Sequence, residues 1–565
     1  MPLSKRDLKQ LLAGLPLTTD LYLTLIQRGK PLSRASSLDR LQQALPQWKG
    51  TVTQALQTSH QWQDKPKKVA IFAAYRVWLQ HATLLGMALA GMGNRIHLAF
   101  APYTFWRRQE NRFDLKYQNS YLKGILQFAK PHLEIVSIYD EFSRNSSPDL
   151  PSLLEEAIRY VSLQDVQYTL QIEDVVTDDL SSEAAQLYQL RLQRNRAAAH
   201  LALTWLRQID PEVVIVPNGA ILEMGAVYQV ARYLNLPTVT YEFGEQRQRI
   251  WLANNEIVMR QNTDELWNAR KHLSLTAEQK RTLQELFESR RKANLWKNFT
   301  RRWQGVSSQG AEQTRQQLGL DDRPIALLAA NVIGDSLTLG RQIFSINMTE
   351  WIQRTVRFFA ERQDVQFIVR IHPGERYTKG PSVAQVVQNL FPQLPRQIHL
   401  IPADAPINTY DLIELATLGL VYTTTTGLEM AMMGLPVIVA GQTHYRNRGF
   451  TYDPSSWDEY FNLLERGLSE VSALRLSPEN VELAWNYAYR FFFEYPMSFP
   501  WHLHLFETKD IETWPLEKVL SREGKTLFGE SFRALLGEPR SYTPLPSAYI
   551  DDPSSAKVLR EMNED

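Results

Sequence analysis

The pattern that most constrains this chain is a recurrence of short, unbroken apolar runs, each followed by a stretch of helical length. Lys68 to Ala74 (KVAIFAA), Arg95 to Phe100 (RIHLAF), Leu133 to Tyr139 (LEIVSIY), Glu212 to Pro217 (EVVIVP) and Thr238 to Phe243 (TVTYEF) form one series. Helical stretches over Leu79 to Met92, Ser181 to Gln208 and Ile221 to Leu234 lie between them. A second series comprises Pro324 to Ala330 (PIALLAA), Val365 to Ile371 (VQFIVRI), Ile398 to Ile401, Leu418 to Tyr422 (LGLVY) and Pro436 to Ala440 (PVIVA). Strands that are apolar on both faces and spaced by amphipathic helices predict parallel sheets covered on both sides. The expected fold class is therefore α/β, with two Rossmann-like lobes.

At 565 residues the chain is too long for one core. The expected division is a helical N-terminal extension over 1–62, with Leu8, Leu11, Leu12 and Leu15 as its apolar positions, and a first Rossmann-like lobe over 63–270. A charged helix from Thr276 to Arg302 and a linker from Gln304 to Gln309 fill 271–310, and the second lobe spans 311–475. C-terminal helices and an irregular tail occupy 476–565, with an aromatic helical region from Pro478 to Phe506 and the tail beyond Gly537.

Several function classes drop out on composition. Sixty-two Lys and Arg stand against 61 Asp and Glu, so no global basic field is available for duplex nucleic acid, and nucleic acid is not an expected partner. The absence of cysteine removes disulfides, thiolate metal sites and cysteine nucleophiles. Lys5, Arg6, Asp7, Lys9 and Asp20 interrupt the first residues, which lack the apolar core of a secretory signal, and Gly419 to Gly441 is too polar for a membrane span. The expectation is a cytoplasmic chain. No GxxxxGK[ST], HExxH or Asp-x-Asp motif occurs, so neither a metal nor a bound cofactor is expected. Gly86, Gly91 and Gly93 do not form GxGxxG and read as helix stops.

In open parallel sheets ligands bind beyond the carboxyl ends of the strands. In the second series those ends carry Asn331 to Ser336, then His372, Pro373, Gly374 and Glu375, then Thr423 to Thr426, Gly427, Leu428 and Glu429. Four hydroxyls and a glycine where a strand turns into a helix suit an anion, most simply a phosphate. The same residues also read as a helix cap, with Glu429 complementing the dipole. His372, held in an extended turn by Pro373, reads either as a donor to a phosphate oxygen or as a structural histidine.

The string Tyr410 to Thr451 (YDLIELATLGLVYTTTTGLEMAMMGLPVIVAGQTHYRNRGFT), with RIHPGE at Arg370 to Glu375, resembles the capsule polysaccharide biosynthesis proteins. These are related to bacterial β-Kdo transferases and share the His-Pro motif of bacterial sialyltransferases and polysialyltransferases. The resemblance covers roughly 324–451. It implies a GT-B-like plan of two Rossmann-like lobes facing a central cleft, and a metal-independent glycosyltransferase of surface polysaccharide biosynthesis. It also implies that His372, Thr425 and Thr426, with Gly427 in their turn, bind the phosphates of a nucleotide-sugar donor, and that Glu429 binds its sugar or ribose. Asp335 and Ser336 either join the donor site or form a structural turn. Arg446 and Arg448, in HYRNRGFT, would neutralise a carboxylate or a diphosphate.

An inverting transfer needs a base at the acceptor hydroxyl, expected at a strand end of the first lobe. Glu242, two residues before Gly244, leads; Asp140 is second, and Glu141, Glu223 and Glu245 are further carboxylates so placed. Asn218, Glu223, Tyr75 and Arg76 are the candidates for holding a glycan or lipid-linked acceptor. A glutamate ion-paired to Arg247 or Arg249 is the competing reading of Glu242. Two other functions remain open: a nucleotide-sugar epimerase or hydrolase of the same fold, and a catalytically silent scaffold in polysaccharide assembly. Arg290 to Trp303 (RRKANLWKNFTRRW) interleaves cations with Trp296, Phe299 and Trp303, and reads either as a helix resting peripherally on an anionic membrane or as one packed on a lobe.

Overall fold

The computed structural model describes residues 18–540, apart from 34–35, 58–61, 63–64, 75, 143–148, 180, 298, 300–303, 470–472 and 504–513. Tyr75, Leu8 to Leu15, Arg301, Arg302, Trp303 and the tail beyond 540 therefore lie outside the described residues. The chain divides into two compact units. One is built from the residues up to Asp165, Val176–Met259 and the segment from Met497; the other is built from Val166–Val175 and Arg260–Pro496.

The first unit carries β1 (Lys68–Ala73), β2 (Arg95–Phe100), β3 (Leu133–Ser137), β4 (Val213–Pro217), β5 (Thr238–Glu242) and β6 (Arg249–Asn254). The second carries β7 (Ile325–Ala329), β8 (Gln366–Arg370), β9 (Ile398–Ile401), β10 (Leu418–Val421) and β11 (Val437–Val439). A last short strand, β12 (Met497–Ser498), returns to the first sheet. Sheet order is β12-β6-β5-β4-β1-β2-β3 in the first unit and β11-β10-β7-β8-β9 in the second. Every pairing among β1 to β5 and β7 to β11 is parallel; β6 runs antiparallel to β5 and to β12. The fold class is thus α/β with two Rossmann-like parallel sheets, each in the same doubly wound order around its first strand.

Alternate residues of one strand feed different cores, as period-2 geometry requires. Val69 and Ile71 of β1 pack with Leu98, Leu126 and Leu520, whereas Ala70 and Phe72 pack with Val214, Trp205 and Val227. In the second sheet Ala326, Leu328, Phe367 and Leu420 are covered by Trp351, Val356 and Phe359 of the helix Met348–Ala360. Gly93, at φ 96°, does end the helix Val77–Gly91, but Gly86 lies within that helix. A Cβ on Gly86 would stand 3.2 Å from Leu133 Cδ2, so its role is close seating of the helix on the sheet.

Two other expectations are corrected. The run Leu133 to Tyr139 is strand only to Ser137, after which Ile138–Phe142 turns helical. The charged helix spans Ala277–Arg291, opened by a Thr276 capping box and ended by Lys292 with Ala293 at φ 55°. Beyond it Trp296 and Phe299 are buried, with Trp296 edge-on to Phe493. These two aromatics of 290–303 therefore serve the interior, while Trp303, the third, lies outside the described residues.

Candidate functional site

In a doubly wound sheet the ligand crevice opens where the strand order reverses, between β7 and β10 in the second unit and between β1 and β4 in the first.

In the second unit the ends of β10, β7 and β8 are neighbours, which brings Thr423 to Gly427, Asn331 to Ser336 and His372 together. Asn331 spans the reversal: its Oδ1 accepts the Thr423 N–H at 3.1 Å. Thr424 Oγ1 accepts the Thr426 N–H at 3.3 Å and lies 3.1 Å from the Thr426 hydroxyl. Thr425, the residue before the helix Thr426–Met432, makes no side-chain cap. Capping therefore falls to Thr424, and Thr425 and Thr426 are the half-buried members of the four. Gly427 is required here, because a Cβ would come within 2.4 Å of the Tyr445 hydroxyl, which donates to Thr424 O. Gly427→Ala should cost about 1–3 kcal/mol by overpacking, read from chemical denaturation.

His372 Nδ1 accepts the Gly374 N–H at 3.0 Å. That bond places the proton of the neutral ring on Nε2, the tautomer able to donate to an anion. Asp335 and Ser336 follow β7, where the Ser336 hydroxyl donates to Asp335 Oδ1 at 3.1 Å and Asp335 O accepts from Thr338 and Leu339 N–H groups. This is the bonding of a structural turn. Gly334, at φ 70°, leaves room for the backbone of Gln171, which would lie 2.7 Å from a Cβ there.

Glu429 has a different setting from the one expected. Both its carboxylate oxygens are engaged inside the unit: Arg290 pairs with Oε1, and the Tyr410 hydroxyl donates to Oε2 at 2.9 Å. Arg290 is 1% exposed and Glu429 6%. Arg446 and Arg448 are likewise engaged. Arg446 donates to the carbonyls of Val439 and Pro454, while Arg448 pairs with Asp264 and donates to Thr263. The loop's cations thus bind protein groups in this structure, an outcome that the spacing of arginines in sequence could not reveal.

In the first unit the reversal brings together the ends of β1, β4 and β5. Glu242 Oε2 accepts from Asn218 Nδ2 at 2.9 Å, and Oε1 accepts the Phe243 N–H at 3.0 Å. Among the described residues no cation pairs with it, so the alternative ion pair to Arg247 or Arg249 is not formed. Burial pushes its pKa up to about 7, against the lowering effect of those two hydrogen bonds. Asn218 (φ 58°), Arg76 (φ 72°) and Leu222 (φ 57°) adopt left-handed backbone around this point, a conformation costly for a bulky residue such as Leu222. The Leu222 N–H is held by Asp165 Oδ1 at 2.6 Å.

Glu223 lies beside this turn but is buried in an ion pair with Arg191, which also binds Asp165. Asp140 pairs with Lys123 at 2.6 Å and accepts from Asn119. It follows β3, four strands from β5 and so about 19 Å away at ordinary strand spacing. The structure thus brings Glu242, Asn218 and Arg76 to neighbouring strand ends and leaves Asp140 apart. Asn331 was visible at a strand end without an assigned role; Arg290 and Tyr410 gave no local signal of their partnership with Glu429.

No family model matches the chain, and no curated protein matches it. Among solved structures, Thermosulfurimonas dismutans KpsC, a β-Kdo 2,4 transferase, is 16% identical, with a TM-score of 0.31 over 49% of this chain and 79% of that one. The β-Kdo 2,7 transferase of the same KpsC is 15% identical, with a TM-score of 0.31 over 53% and 81%. The UDP-GlcNAc 2-epimerase of Neisseria meningitidis, bound to UDP-GlcNAc, is 12% identical, with a TM-score of 0.24 over 76% and 100%. Likeness at this level carries no activity from those proteins to this chain.

Proposed function

We propose that the chain is a glycosyltransferase of GT-B type that binds a nucleotide-sugar at the β7/β10 reversal of the second unit and transfers the sugar to a glycan or lipid-linked acceptor. The observation that supports this reading is that His372, as the Nε2–H tautomer after β8, and the Thr425 and Thr426 hydroxyls, after β10, flank the end of the intervening β7. The ring N–H and the two hydroxyls are all donors, which suits the phosphate oxygens of a diphosphate or monophosphate linkage. In this reading Glu242 of the first unit is the base. A pKa near neutrality is what a proton acceptor operating at physiological pH needs, and Asn218 orients its carboxylate. No metal takes part in the proposed chemistry.

The test is a thermal-shift screen of CMP-, UDP- and GDP-sugars, followed by turnover assays with and without acceptor. One nucleotide class should stabilise the wild type, and His372→Ala should weaken that binding by about tenfold or more, roughly the loss of one buried charge-assisted hydrogen bond. Stabilisation by none of the three removes the donor site. Conversion without acceptor would favour the epimerase or hydrolase, and binding without turnover the scaffold.

A further inference from the structure

Two exposed apolar groups stand on adjoining elements of the first unit. The helical segment Thr18–Ile26 leaves Leu21 55%, Leu25 70% and Ile26 66% exposed. The loop after β2 exposes Phe105 and Trp106, the latter by 49%. The helix Arg112–Leu126 joins them. It begins directly after the loop, and Tyr22 packs edge-on against its Phe113 at 5.6 Å and its Tyr117 at 6.0 Å, while the Tyr117 hydroxyl donates to Lys30 O. Isolated surface leucines need no explanation; five large apolar side chains on two neighbouring segments do.

The loop is held in this form from beneath. Arg194, 4% exposed, donates to Phe105 O at 2.6 Å and to Arg108 O at 3.0 Å. Glu110 accepts the Thr104 N–H at 3.1 Å and lies 3.5 Å from Arg194. A buried guanidinium thus fixes the backbone on either side of Trp106, so the aromatic tip is presented rather than folded inward. Around it the charge is one-sided. The stretches 18–30 and 105–112 hold five cations, Arg28, Lys30, Arg107, Arg108 and Arg112, all exposed, and two acids, of which Glu110 is turned to Arg194. The chain as a whole has a formal charge of only +1.

We infer that this face docks the first unit on an anionic lipid surface, with Trp106, Phe105 and the Leu21–Ile26 side chains entering the headgroup boundary and the surrounding cations meeting lipid charge. Aromatic and aliphatic tips beside Arg and Lys are the chemistry of the interface, and each cation near an anionic leaflet contributes about fivefold in affinity. Among the described residues no helix is long and apolar enough to cross a membrane. The inference stands whatever the sheet ends bind.

The experiment is co-sedimentation of the full-length protein with vesicles of phosphatidylcholine alone and of phosphatidylcholine and phosphatidylglycerol in equal parts. The wild type should sediment with the anionic vesicles, less so as salt is raised. Arg107→Gln/Arg108→Gln should weaken binding by about twentyfold or more, and Leu25→Ser/Ile26→Ser/Trp106→Ser should abolish it. These positions are exposed, so unchanged thermal melting should accompany the losses. Failure of the wild type to sediment with anionic vesicles at low salt overturns the proposal. So does concentration-dependent self-association that only the apolar variant loses, which would assign the face to a second copy of the chain.

Discussion

Arg290→Met should destabilise the second unit by about 3–5 kcal/mol, because it leaves the Glu429 carboxylate buried without its counter-charge. Replacing the whole group by apolar residues of similar volume, Arg290→Met/Tyr410→Phe/Glu429→Met, should restore most of that loss, since no charge or hydroxyl is then left unmatched. Urea denaturation of the three proteins measures both effects. The same triple variant decides what Glu429 does. With both oxygens engaged by Arg290 and Tyr410, nucleotide binding should survive in the repaired protein. Loss of binding with stability restored would return Glu429 to the donor site.

Glu242→Gln should leave donor binding intact and lower transfer by about a hundredfold, the usual contribution of a general base. Its effect on stability should have a sign that depends on pH. The folded protein holds the Glu242 proton more tightly than the unfolded chain, with a pKa of about 7 against an ordinary value near 4.3. Stability from this group is therefore fully present below the ordinary carboxylate range and is lost as pH rises through about 7. Glutamine avoids that loss. The variant should match the wild type at about pH 4 and exceed it by up to about 3 kcal/mol above about pH 8. A wild type with no such pH dependence, or a variant with near-normal transfer, removes Glu242 as the base.

The parallel strands were legible because burial on both faces writes them as unbroken Val, Ile and Leu runs; EVVIVP and PIALLAA are fully buried over β4 and β7. β6 escaped because its pairing is antiparallel and its far end is partly exposed, so Arg249–Asn254 shows no such run. β12 has two residues and gives no periodicity at all. The charged helix was extended too far because cations and aromatics continue past Arg291 at helical spacing. The helix ends instead at the left-handed Ala293, and Trp296 and Phe299 beyond it are buried, a tertiary setting that residue spacing does not record. At the candidate site the strand ends could be named from sequence, since topology alone gathers them. Which polar side chains are consumed internally could not, because Arg290 is 139 residues from Glu429.

The segment from Met497 supplies Phe499, Trp501, Leu516, Val519 and Phe532 to the same core as Val69 and Leu98, and its β12 pairs with β6. This has a consequence for synthesis. After Met259 the ribosome must make the whole stretch Arg260–Pro496 before that covering segment emerges, an interval of about ten to fifty seconds at ordinary elongation rates. Throughout it the first sheet has one apolar face without its final cover, while almost all of the second unit is being delivered in one continuous piece. Of the described residues, those that complete the unit begun first are made last.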